Sequence, residues 1–261
     1  VAERTRTRAL DAEGPRMNVF DQLAAWLGEP GRWSFTDPSG IPYRTVEHLS
    51  FSLLSLVIAA LLTIPLALWL AHYRRAAFLA SSAVNIGRAI PSFGLIILFW
   101  FLASRWEVDT TFWPLLIALV ALALPPLFTN TYAGVTSLDQ APVDAARGTG
   151  YTEGQIMLRI ELPLSLPVVL AGARVAFLQL VATVAIGAIV NDGGGLGRYI
   201  VDGFAQGAGG YGEILGGGIA VIVLALVCEG AFSLLTRFTV PRGLRITRKN
   251  ELPSRAKVTI A

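Results

Sequence analysis

Long uncharged apolar runs alternate along the chain with short polar connections. A helix crossing a ~30 Å hydrocarbon core needs about 20 apolar residues. On that measure the pattern predicts five spans, at about 49–71, 77–104, 112–131, 164–190 and 213–236. The first, Leu49 to Ala71, carries no charge, and its Pro65 is tolerated because neighbouring helices satisfy the freed backbone groups. The second is interrupted by a polar patch from Asn85 to Ser92, and the third carries Pro125-Pro126. The fourth contains Arg174 and the fifth Glu229. Ahead of the spans, Val19, Phe20, Leu23, Ala24, Trp26 and Leu27 recur near helical spacing, which predicts a short amphipathic helix lying on the bilayer surface. Residues 28–43 hold three prolines and three glycines and read as a loop. Residues 17–48 are therefore an outer-side region, 49–237 a transmembrane domain, and 238–261 a basic tail. Residues 1–16 are polar, lack the apolar core of a signal peptide, and read as a disordered tail, with Met17 a plausible start.

The most polar stretch between the apolar runs, residues 139–163, divides into two short helices. Asp139 caps the first, and Pro142 falls in its first turn, where a missing N–H is harmless. Gly148 and Gly150 are suited to end it. Thr152-x-x-Gln155 fits a capping box that restarts the helix, which runs through Ile160 until Pro163 and Pro167 bend it into the membrane. Ala145 and Ala146 form one surface small enough for close approach by another protein.

Composition narrows the class. The chain is 54% hydrophobic and 15% charged, against about 25% charged in soluble domains, so it is an all-α polytopic membrane protein. The basic pI reflects a net charge of only +3 and is explained by Arg and Lys on cytoplasmic loops, not by a nucleic-acid partner. Lys occurs only at 249 and 257, so there is no phosphate loop and no nucleotide bound in that way. The two histidines, His48 and His72, lie far apart, and Cys228 is the only cysteine, which disfavours a His/Cys metal site. With residues 139–163 in the cytoplasm and the chain starting at Met17, eleven Arg and Lys fall on that side and four on the other, whereas the four arginines of residues 1–16 would run against this bias. The predicted orientation is N-terminus out and C-terminus in.

The pattern Asp144-Ala145-Ala146-x3-Gly150-x9-Ile160-x-Leu162-Pro163 resembles the EAA loop of ABC-importer permeases, with Asp in place of the usual Glu. The resemblance implies a type I ABC-importer permease fold with a cytoplasmic coupling helix over about 142–152. It makes Asp144, Ala145, Ala146, Gly150, Ile160, Leu162 and Pro163 the ATPase-coupling residues. It also implies two copies of a separate ATPase that binds ATP and Mg, an extracytoplasmic binding protein, and a second permease, identical or homologous. The chain itself would bind no cofactor and would not be an enzyme. The segments 85–92, 124–132 and 193–197 resemble the osmoprotectant branch, for glycine betaine, carnitine, choline or proline. Permeases for other small zwitterions and amino-acid derivatives share that scaffold.

Charges inside spans cost at least ~2.5–3.5 kcal/mol and normally face a cavity, a bundle interior or a partner charge. Arg88, Arg174 and Glu229 lie at similar depth, so Glu229 is within reach of either arginine, as a helix lock or as part of a gate. Arg88 with a Pro91 kink is expected to shape the pathway wall. Asn85, Ser92 and Asn130 are further candidates for pathway lining, and Gly195 is placed in a tight re-entrant turn at the outer mouth. Gln179 and Thr183 fit helix–helix hydrogen bonds better. An ion-coupled secondary transporter using Glu229 is the reading from another class, but the sequence shows no internal repeat of the kind it predicts.

Overall fold

The computed structural model describes residues 17–75, 77, 78, 82, 85, 89–190 and 193–239. Arg88, the tail 1–16 and nearly all of the tail 238–261 lie outside them. The described elements are α-helices α1 (Val19–Leu27), α2 (Ile41–His72), α3 (Ser92–Arg105), α4 (Trp113–Thr136), α5 (Gln140–Gly148), α6 (Glu153–Ile156), α7 (Leu162–Gly187), α8 (Gly197–Ala205) and α9 (Tyr211–Thr239). Short 3₁₀ turns occupy Pro30–Trp33 and Gly207–Gly210. Among the described residues, four helical stretches are long and apolar enough to cross a membrane, and α3 is a shorter apolar helix.

Three boundaries differ from expectation. First, α2 starts at Ile41 rather than Leu49, because Pro42 sits in its first turn, where no intrahelical N–H bond is lost. Second, the 77–104 span is broken at Ile90–Pro91, and α3 restarts at Ser92 with Pro91 as its N-cap. Pro91 thus separates segments instead of kinking one helix. Third, the helix does not break at Pro163. A π turn over Met157–Glu161 precedes it, with Leu162 N–H bonded to the Met157 carbonyl five residues back. The wider turn loosens the i→i−4 ladder where the proline ring would otherwise clash.

Helices α2, α4 and α7 form the centre, where Phe51, Ala59, Leu115, Leu119, Leu127, Ala176, Leu180 and Val184 pack together with Ile96 of α3. Half of the apolar window of α4 is buried against only 11% of that of α9, so α4 is central and α9 peripheral. The α4–α7 crossing is close, because a Cβ on Gly172 would lie 2.5 Å from the Asn130 Cβ. Helix α1 packs into the bundle. Its Trp26 is buried edge-on against Tyr199 of α8 and over Gly216 of α9, while Phe20 points outward.

His48 clasps the end opposite the polar loop. Its Nδ1 accepts from Leu196 N–H at 3.3 Å and its Nε2 meets the Val181 carbonyl at 2.8 Å. A backbone N–H only donates and a carbonyl only accepts, so the ring is neutral with its proton on Nε2. The clasp needs Gly195, which has φ +53° and whose added Cβ would lie 2.5 Å from the His48 Cβ. The buried Gly195 therefore serves a backbone crossing. Replacing His48 by Leu orphans the Leu196 N–H and is expected to cost roughly 1–3 kcal/mol. Unfolding in detergent should show a lower midpoint for His48→Leu and for Gly195→Ala, and unchanged midpoints would contradict the clasp.

Candidate functional site

The polar loop folds as its local signals predict. The Asp139 carboxylate accepts from Ala141 N–H at 3.1 Å and starts α5. At the other end Gly150, with φ +89°, lets Tyr151 N–H reach the Ala146 carbonyl and Gly150 N–H the Arg147 carbonyl, both at 3.1 Å. That pair of bonds is a Schellman cap. Gly148, by contrast, remains helical. The capping box forms reciprocally, with Thr152 N–H on Gln155 Oε1 at 2.9 Å and Gln155 N–H on Thr152 Oγ1 at 3.4 Å. Two ends closed within four residues make α5 a rigid, separately capped rod.

Helix α5 is two-faced. Val143 and Ala146 are buried with Ile156 and pack against Ile160, whereas Asp144, Ala145, Arg147 and Gly148 are exposed. Ala146 therefore does not share an outward surface with Ala145, as the alanine pair suggests; at 100° per residue adjacent positions diverge, and Ala146 falls on the inward side. Leu162 packs with Leu68, Ala71, Tyr132 and Val135, joining the loop to α2 and α4, and Pro163 is exposed.

Charged side chains connect the loop to the membrane helices. Arg147 grips both oxygens of Glu153 at 2.9 and 3.0 Å and also reaches Asp144 at 3.1 Å. Glu153 pushes the Arg147 guanidinium still further above its ordinary range by hydrogen bonding. The other contacts of the set are Glu153 to His72 Nε2 at 3.1 Å and His72 Nδ1 to Glu161 at 2.7 Å. Arg74 donates to the Thr136 carbonyl at 2.8 Å, so the ends of α2 and α4 and the start of α7 share one end of the bundle. Sequence reasoning passed over His72, Arg147, Glu153 and Glu161. The available signal was the spacing of the two glutamates, eight residues or about two helical turns apart, which places them on one face.

Within the apolar region Arg174 pairs with Glu229 through two contacts, one of them Arg174 Nε to Glu229 Oε2 at 2.7 Å. Their side chains remain 41% and 33% exposed on the protomer. Asn130 bonds the Pro126 carbonyl at 2.8 Å, and Thr183 bonds the Gln179 carbonyl within its own helix. Asn85 is exposed and Ser92 half-buried.

The pattern of the binding-protein-dependent transport system inner membrane component matches residues 63–242, more than half of the chain. The chain belongs to that family. It is thus a multi-pass inner-membrane permease component. Relatives of this permease include the choline transport system permease protein OpuBB of Bacillus subtilis, 29% identical over 80% of this chain and 93% of that one. The carnitine transport permease protein OpuCB of Listeria monocytogenes is 30% identical over 79% and 91%. A chain of the MetNI methionine ABC transporter in an inward-facing conformation has the same fold, with a TM-score of 0.67 and 22% identity over 82% of this chain and all of that one.

The cap makes a contrast testable within the permease. Gly150→Ala forces an L-residue into a left-handed backbone and should destabilise the α5 end by about 1–2 kcal/mol. Gly148→Ala, with helical φ and open space around it, should leave it unchanged or firmer. Amide exchange over residues 140–151 reads the difference, and equal protection in the two variants would contradict the cap assignment.

Proposed function

We propose that this permease is the membrane subunit of an ATP-driven importer for osmoprotectants of the choline, glycine betaine or carnitine type. The observation that carries the reading is the outward Asp144–Ala145 face of a rigid, separately capped helix at one end of the bundle. A separate ATPase, two copies binding ATP and Mg, docks there, and its closure moves α5. Ala145 permits close approach, Asp144 supplies the charge, Gly150 holds the rod's end, and Ile160, Leu162 and Pro163 join it to α7. That end is cytoplasmic, with the N-terminus outside and the C-terminus inside, in keeping with the Arg and Lys excess there. The substrate class rests on the choline and carnitine permeases that are its relatives.

The part-exposed Arg174–Glu229 pair supports a pathway or subunit contact on that face of α7 and α9. It lies ~18 Å from the start of α7 and ~15 Å from the end of α9 at 1.5 Å per residue, a depth where charge facing lipid is costly. A second permease, identical or homologous, covers it, and substrate passes between them. An extracytoplasmic binding protein delivers substrate at the end where His48 clasps the glycine-rich connection.

Proteoliposomes holding the permease with the ATPase and binding protein that co-purify with it test this directly. Accumulation of radiolabelled choline, glycine betaine or carnitine should require ATP inside and the binding protein outside. Uptake driven by an ion gradient with no ATPase present would refute the proposal.

A further inference from the structure

The polar loop is covalently continuous with α4 on one side and, through the π turn, with α7 on the other. It has no chain connection to α2, which nevertheless packs against both. Apolar contact alone, Leu68 and Ala71 against Tyr132, Val135 and Leu162, is non-directional and lets helices slide. What fixes α2 to the loop is the file of charges Asp144, Arg147, Glu153, His72 and Glu161, with successive contacts of 3.1, 2.9, 3.1 and 2.7 Å. The file begins at the surface and ends in the interior. Side-chain exposure is 67% at Asp144, 49% at Arg147 and 44% at Glu153, but 4% at His72 and 7% at Glu161.

Both His72 ring nitrogens face carboxylate oxygens. The imidazole bridges one glutamate that starts α6 to another that ends the π turn, hydrogen-bonded to Glu161 and in 3.1 Å contact with Glu153. Polar contacts made by a buried side chain have defined direction and length and are costly to break singly. A displacement of the α5–α6 turn therefore drags the last turn of α2 with it.

We propose that His72 is a positioning residue for energy coupling, through which movement of the docking helix is transmitted to α2 as well as to α4 and α7. This rests on the reading of α5 as the ATPase-docking helix. Glu153 is the input of the linkage, taking its orientation from Arg147, and Glu161 is the buried anchor that keeps the imidazole in register.

The test uses the whole importer in proteoliposomes and reads ATP hydrolysed per molecule of choline or glycine betaine accumulated, whichever the wild type takes up. His72→Gln and Glu153→Gln should each raise that ratio at least about 5-fold, the low end of a typical coupling energy. The double variant should be no worse than the stronger single one, because both cut the same file. A purely structural role would lower the yield of assembled complex and leave the ratio alone. An unchanged ratio in Glu153→Gln complexes of wild-type yield overturns the proposal, as do fully additive effects of the two substitutions. Glu153 is at the exposed rim, so that variant decides the matter even when His72→Gln fails to assemble. Absence of ATP-driven uptake in the wild type is a different result, which overturns the docking reading itself.

Discussion

Most polar contacts in this fold answer to one constraint: the hydrocarbon core offers no water to a polar group. Backbone and side chain must then find partners within the protein. Thr129 and Asn130 of α4 illustrate the solution locally, their side chains donating to the Pro125 and Pro126 carbonyls one turn back in the same helix. His48 illustrates it between elements, spending both ring nitrogens on backbone groups of two other segments. Arg174 and Glu229 neutralise one another across α7 and α9.

The same constraint separates the two ends of the bundle. At the His48 end, the neutral imidazole is buried and matched to a close backbone crossing, and the ion pairs Arg44–Glu47 and Arg198–Asp202 each stay within one helix, which suits a rigid support. At the α5 end the polar groups are mostly charged, graded from exposed to buried, and strung between a capped surface rod and three membrane helices. A rod that is stiff in itself, yet fastened by directional contacts, transmits displacement instead of absorbing it. The π turn beneath it runs on into α7 with Pro163 in the first turn of that helix, so the fastening is continuous with the helix.

Much of this was legible from residue pattern. The apolar runs located the helices, Asp139, Thr152 and Gln155 announced their caps, and the EAA-like spacing named the family that residues 63–242 match. Boundaries were less legible where proline is ambiguous: Pro42 reads as a loop residue yet opens α2, and Pro163 reads as a bend yet follows a π turn. The sidedness of α5 was obscured by two adjacent alanines that look equivalent and point different ways. His72 stayed hidden for another reason. Its partners are 81 and 89 residues away in sequence, and a long-range ion pair leaves no periodic trace in either segment.

The central claim is that the outward face of α5 receives the ATPase. Cys228, the only native cysteine, is buried, so introduced thiols report on their own positions. Site-specific cross-linking in the assembled complex should join the ATPase to the permease through Ala145→Cys and not through Ala146→Cys. Equal cross-linking from the two positions, or from neither, would contradict the account.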